Sequence, residues 1–121
     1  MKILIIDDSK FTRTVYESEL KQENIQVETA EDGETGIAKA KSEKPDLVLL
    51  DMILPKKDGF DVLRELKADS NTKDIPVIVF SKLNQKSDID EALKLGAIKY
   101  LPKGGYTPKQ VLTQIKKILD K

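Results

Sequence analysis

The sequence predicts a doubly wound α/β fold: one five-stranded parallel sheet, strand order 2-1-3-4-5, with helices on both faces. Three observations predict it. Strand-like runs alternate with helical segments five times along 121 residues, the pattern of a parallel sheet covered on both sides. Three of the runs, Ile3–Ile6, Leu47–Leu50 and Val77–Phe80, are continuously apolar, as strands buried on both faces are. The other two, Gln26–Thr29 and Ile98–Leu101, mix polar and apolar residues and read as edges. Placing the second and fifth strands at the edges fits the order 2-1-3-4-5.

Each helix has its own signals. Ser9 can cap a first helix carrying Phe11, Val15, Tyr16 and Leu20. The second helix, about Glu34 to Ser42, has few large apolar residues. Phe60, Leu63 and Leu66 mark the third. Ile89, Ala92 and Leu93 mark the fourth, which stops at Gly96. Thr107 followed by Pro108 is a cap with proline at the first helical position. The helix behind it carries Val111, Leu112, Ile115, Ile118 and Leu119 at helical spacing. No repeat or linker interrupts the pattern, so residues 1–121 read as one domain with no output domain attached.

Composition narrows the chemistry. Lys+Arg and Asp+Glu are both 21, so no net field favours nucleic acid. No apolar run can span a bilayer. The N-terminus is too short in apolar residues and too acidic for a signal peptide, so the expected location is cytoplasmic. The chain has no Cys and no His. That removes disulfides, thiolate nucleophiles, Cys/His zinc sites and Ser–His or Cys–His pairs. Reactive chemistry is left to carboxylates, hydroxyls and lysines.

In an open parallel sheet, ligands bind beyond the carboxyl ends of the strands, at the switch point between strands one and three. Strand one runs into Asp7 and Asp8, and strand three into Asp51. Aspartate is common at strand ends because it favours turns. That accounts for any one of the three, but poorly for three on neighbouring strands. Close carboxylates repel unless a cation joins them, and an all-oxygen set suits Mg²⁺. Strand four ends in Ser81 and strand five leads into Lys103. Alone, the first is a turn residue and the second a surface lysine. Beside three carboxylates they match the parts of phosphoryl transfer to an aspartate.

Four stretches then carry a family resemblance: Ile3–Ser9 (ILIIDDS), Leu50–Gly59 (LDMILPKKDG), Ile75–Ser81 (IPVIVFS) and Gly96–Lys103 (GAIKYLPK). In order, each at a strand end, they resemble a stand-alone response-regulator receiver domain, chemotaxis-receiver-like, over nearly the whole chain. The resemblance implies a flavodoxin-like (βα)5 fold and a role in two-component signalling. It implies that Asp51 accepts a phosphoryl group from a sensor histidine kinase or a phosphotransfer protein. Asp8 and Asp51 would ligate Mg²⁺ with the Ile53 backbone carbonyl, and Asp7 would act mainly through a metal-bound water. Ser81 and Lys103 would hold the phosphoryl group. Tyr100 matches the aromatic switch position; an edge-strand tyrosine packed on a helix is an equal alternative. A separate downstream protein would dock on helix four, strand five and helix five, around Lys94, Lys99, Tyr100, Gln110 and Lys117. Such a domain is not an enzyme toward other molecules; it promotes only its own phosphorylation and dephosphorylation.

Three positions depart from the family's pattern or qualify it. Gly104 follows Lys103 where the family usually has a proline after a cis bond, so Lys103 is either aimed by another route or held more loosely, which predicts weaker coupling between the phosphate and the loop before the last helix. Lys82 follows Ser81 where a small residue is usual. Its stem can lie on the surface with its head in water, the commoner arrangement; alternatively it restricts access or attracts the phosphoryl group. Ile53 offers no polar side chain to position an attacking water, which predicts slow self-dephosphorylation.

Other classes fit less well. A haloacid-dehalogenase-type phosphatase needs a second acid where Ile53 stands. A flavin carrier needs a hydroxyl- and glycine-rich loop where Asp8, Ser9 and Lys10 stand. A phosphorylation-independent, receiver-like interaction module is the alternative that the loss of proline at position 104 keeps open.

Overall fold

A computed structural model describes residues 1–120. The strands are β1 (Lys2–Ile6), β2 (Gln26–Ala30), β3 (Leu47–Leu50), β4 (Val77–Ser81) and β5 (Lys99–Pro102). The helices are α1 (Lys10–Gln22), α2 (Gly33–Glu43), α3 (Gly59–Ala68), α4 (Lys86–Lys94) and α5 (Pro108–Leu119). All strand pairs are parallel, in the order β2-β1-β3-β4-β5.

Strand alternation divides the core in two. Leu4, Ile6, Val48, Leu50, Val77 and Val79 point to the side covered by α2, α3 and α4. Ile3, Ile5, Leu47, Leu49, Ile78 and Phe80 point to the side covered by α1 and α5. Every residue of β3 and β4 is buried, whereas β2 and β5 are mostly half-exposed. The edges are therefore the two mixed strands.

Two of the differences from the sequence expectation concern exposed apolar residues. The fifth strand begins at Lys99 rather than Ile98; Ile98 donates its N–H to Val77 (2.8 Å), but its side chain is 48% exposed. In α1 the inward stripe is Thr12, Tyr16 and Leu20, spaced by four, so Phe11 projects outward, 78% exposed.

Caps fix the helix starts at the strand ends. Ser9, Asp32, Asp58 and Thr107 each accept a backbone N–H from the first turn of α1, α2, α3 and α5. Each such cap contributes about 1 kcal/mol. Thr107 and Gln110 complete a reciprocal capping box.

Candidate functional site

The parallel register brings the ends of β1 and β3 side by side: Ile6 pairs with Leu50, and the Asp51 N–H donates to the Ile6 carbonyl at 2.9 Å. Asp7, Asp8 and Asp51 follow directly. Their carboxylate oxygens lie within 4.8 Å of one another, with Asp7 and Asp51 buried and Asp8 exposed. Three hard oxygen donors at this spacing, one open to solvent, could hold a divalent cation such as Mg²⁺.

Lys103 enters from the end of β5. Its Nζ lies 2.8 Å from Asp7 Oδ2 and 3.2 Å from Asp51 Oδ2, and 5.6 Å from the centroid of the Phe80 ring. Burial works against its charge, but the hydrogen bond to Asp7 and the charges of Asp51 and Asp7 outweigh it and raise its pKa. Asp7 is also raised. Desolvation is the main cause, only partly offset by Lys103 and the Ser9 N–H, and the Asp51 charge adds to it.

The backbone aims Lys103. Pro102, Lys103, Gly104 and Gly105 form a turn closed by the Gly105 N–H on the Pro102 carbonyl (3.3 Å), with Gly104 at φ +91°. A positive φ at the third position is the mark of a type II turn and favours glycine there. The peptide bonds of the described residues are all trans. The Lys103 N–H also donates to the Ser81 carbonyl at 2.8 Å, continuing the β4–β5 ladder.

Ser81 is fully buried, and its side chain shares the α2–α3–α4 side of the sheet with Val79. Its Oγ accepts the Leu83 N–H at 3.3 Å. The Tyr100 hydroxyl donates to the Leu83 carbonyl at 2.6 Å, and the half-buried ring packs against the same core. Both backbone polar groups of Leu83 are thus tied, one to Ser81 and one to Tyr100. Ile53 is half exposed, and its N–H donates to Asp51 Oδ1 at 3.1 Å.

Asp51, Asp8 and Lys103 face a groove of about 610 Å³ whose walls include Phe11, Tyr106 and Pro108, with Lys82 also lining it. Sequence reasoning missed Arg13. It reaches back from α1 to donate to the Asp7 carbonyl (2.8 Å) and sits 3.5 Å from Glu31. An arginine in an amphipathic helix carries no local signal of such a reach.

The fold and site together define a doubly wound α/β protein with an acidic, lysine-bridged pocket at its topological switch point. Residues 3–116 match the family described as response regulator receiver domain, and the chain belongs to that family. It is similar to PilH of Pseudomonas aeruginosa, 39% identical over 102 residues that cover 84% of each chain. It is equally similar to PleD of Caulobacter vibrioides, 39% identical over 84% of this chain but only 22% of PleD. The chain spans less than half the length of several of the curated relatives it matches. Among solved structures, a two-component response regulator from Clostridium difficile superposes with a TM-score of 0.92 at 29% identity, covering 100% of this chain and 97% of that one. Among the described residues, no helix is long and apolar enough to cross a membrane.

Proposed function

We propose that this receiver domain is a phospho-acceptor switch: Asp51 takes a phosphoryl group from a histidine kinase or phosphotransfer protein, and the change alters protein binding. The observation that carries the proposal is the meeting of Asp51, Asp7, Asp8 and Lys103, of which Asp51, Asp8 and Lys103 line one groove.

An Asp51 carboxylate oxygen is the nucleophile. Asp8, Asp51 and the Ile53 carbonyl would hold Mg²⁺, with Asp7 acting through a bound water. When bound, the ion neutralises charge on the reacting oxygens. Lys103 supplies a fixed positive charge where phosphoryl oxygens arrive. Turnover is confined to the chain's own aspartate, so the domain is not an enzyme toward other molecules.

Signalling needs contacts that differ between the two states. The Ser81 hydroxyl, fully buried and outside the groove lining, would have to turn toward Asp51 to donate to a phosphoryl oxygen, which would move the acceptor of the Leu83 N–H, and Tyr100 holds the same residue by its carbonyl. Phosphorylation would therefore loosen the β4–α4 loop and alter the α4–β5–α5 surface, where Lys94, Gln110 and Lys117 are exposed to a partner. A phosphoryl donor must reach Asp51 through the groove, whose rim carries Phe11.

Intact mass after incubation with acetyl phosphate tests the reading. A Mg²⁺-dependent phosphoryl adduct is expected on the parent and none on Asp51→Asn. If the parent gives no adduct and does not bind beryllofluoride, the domain acts as a phosphate-independent interaction module.

A further inference from the structure

Alternation along β4 sends successive side chains to opposite sides of the sheet. Phe80 points toward α1 and α5 and Ser81 toward the other side, and Lys82 is the first residue beyond the strand. Phe80 and Lys82 both line the groove above Asp51. Lys82 is exposed. Lys103 is bound to two carboxylates, whereas the Lys82 ammonium has no ion-pair or hydrogen-bond partner among the described residues.

The charges at the pocket make that free ammonium consequential. Three carboxylates and one bound lysine leave a net charge of minus two (minus three plus one). A divalent cation brings the pocket to zero. A dianionic donor then meets no net attraction from these groups, and Lys82 is the remaining positive charge on its path. The apolar walls at Phe11 and Tyr106 reduce screening by water along that path.

We propose that Lys82 is a specificity-determining residue that draws small dianionic acyl phosphates to Asp51, an inference resting on the acceptor reading above. In the step it serves, an Asp51 oxygen forms a bond to phosphorus as the bond from phosphorus to the acyl oxygen breaks. The carboxylate leaves with the electron pair, and no proton moves. Lys82 acts on approach and binding, so its effect falls on the half-saturating donor concentration more than on the plateau rate. Removing it raises that concentration about tenfold, the low end of what a charged cleft contributes to association.

Time-resolved intact mass with acetyl phosphate and saturating Mg²⁺ tests this on the parent, Lys82→Ala, Lys82→Glu and Lys82→Arg. The expected half-saturating concentration rises about tenfold in Lys82→Ala and further in Lys82→Glu, and stays near the parent in Lys82→Arg. The differences collapse in about 1 M salt, where the Debye length is about 3 Å. Phosphoramidate, whose protonated nitrogen makes it less negative, shows a smaller change. Equal donor dependence in the parent and Lys82→Ala overturns the inference while leaving the acceptor reading intact. A difference that persists in high salt, or that Lys82→Arg does not rescue, overturns it too. No adduct on the parent overturns both. Because Lys82 is exposed and unpaired, the variants are expected to melt with the parent, which a thermal scan checks.

Discussion

Gly104 stands where the family usually has proline, and the turn around it explains the exchange. A Cβ built there meets nothing within 4 Å, so space is not what selects glycine. The backbone selects it, because φ at this position is +91°. An L side chain in the left-handed region costs about 1–2 kcal/mol. Gly104→Ala is therefore expected to lower the unfolding free energy by about that much in urea melts, through backbone strain alone. Proline is locked near −65°, so Gly104→Pro must rebuild the turn and is expected to cost more than alanine. Lys103 would lose its present aim toward Asp7 and Asp51. An unaltered urea midpoint in both variants would refute the type II turn as the device that positions this lysine.

At the scale of elements, what could be read in advance depended on how each one buries itself. β1, β3 and β4 announce themselves because a strand covered on both faces must be apolar throughout. α2 reads weakly for an opposite reason: its inner face is Gly33, Gly36, Ile37 and Ala40. A Cβ on Gly33 would stand 2.2 Å from the Lys57 carbonyl oxygen, and one on Gly36 2.6 Å from Ile6 Cδ1. Close approach replaces large apolar side chains there, and hydrophobic periodicity does not register it. The carboxylate cluster was legible because strand order alone makes the ends of β1 and β3 neighbours. The burial of Ser81 and the reach of Arg13 depend on what covers each side chain and on its rotamer, which spacing does not encode. α4 is the least anchored helix. Ala92 is its single buried residue, and no side chain caps its start. By contrast, α3 has the Asp58 cap and buries Gly59, Val62, Leu63 and Leu66. The Arg64–Glu91 pair tying α3 to α4 is half exposed at both ends, and such pairs contribute about 0–1 kcal/mol. Few buried contacts mean a low cost of local opening. Amide exchange followed by mass spectrometry is expected to show α4 losing protection well before α3. Equal protection would contradict α4 as the readily displaced element next to the Leu83 loop.

For the whole molecule, the carboxylate pocket works against the fold when no cation is present. Asp7 is the clearest case, since burial, aided by the Asp51 charge, lifts its pKa above the ordinary 3.8 against the pull of Lys103 and the Ser9 N–H. Below 3.8 the carboxyl is protonated in both the folded and the unfolded chain, and nothing is lost. As pH rises, the unfolded chain ionises first and the native state is penalised, until Asp7 is ionised in the fold as well. Stability linked to this group is thus greatest in acid and falls as pH rises through the raised value. Other carboxylates titrate in the same range; Asp32 and Asp69, held low first by backbone hydrogen bonds, lose stability as pH falls. The contribution of Asp7 therefore has to be isolated by difference. In buffer with a chelator, the melting temperature of the parent minus that of Asp7→Asn is expected to fall as pH rises above 3.8, measured at several pH values. Adding Mg²⁺ near neutrality should raise the parent's melting temperature more than the variant's, because a ligand bound only to the native state stabilises it by mass action. A difference that grows more positive with pH would show that the lysine contact, rather than burial, governs Asp7. It would also mean that Asp7 is already ionised and paired with Lys103 when a cation enters.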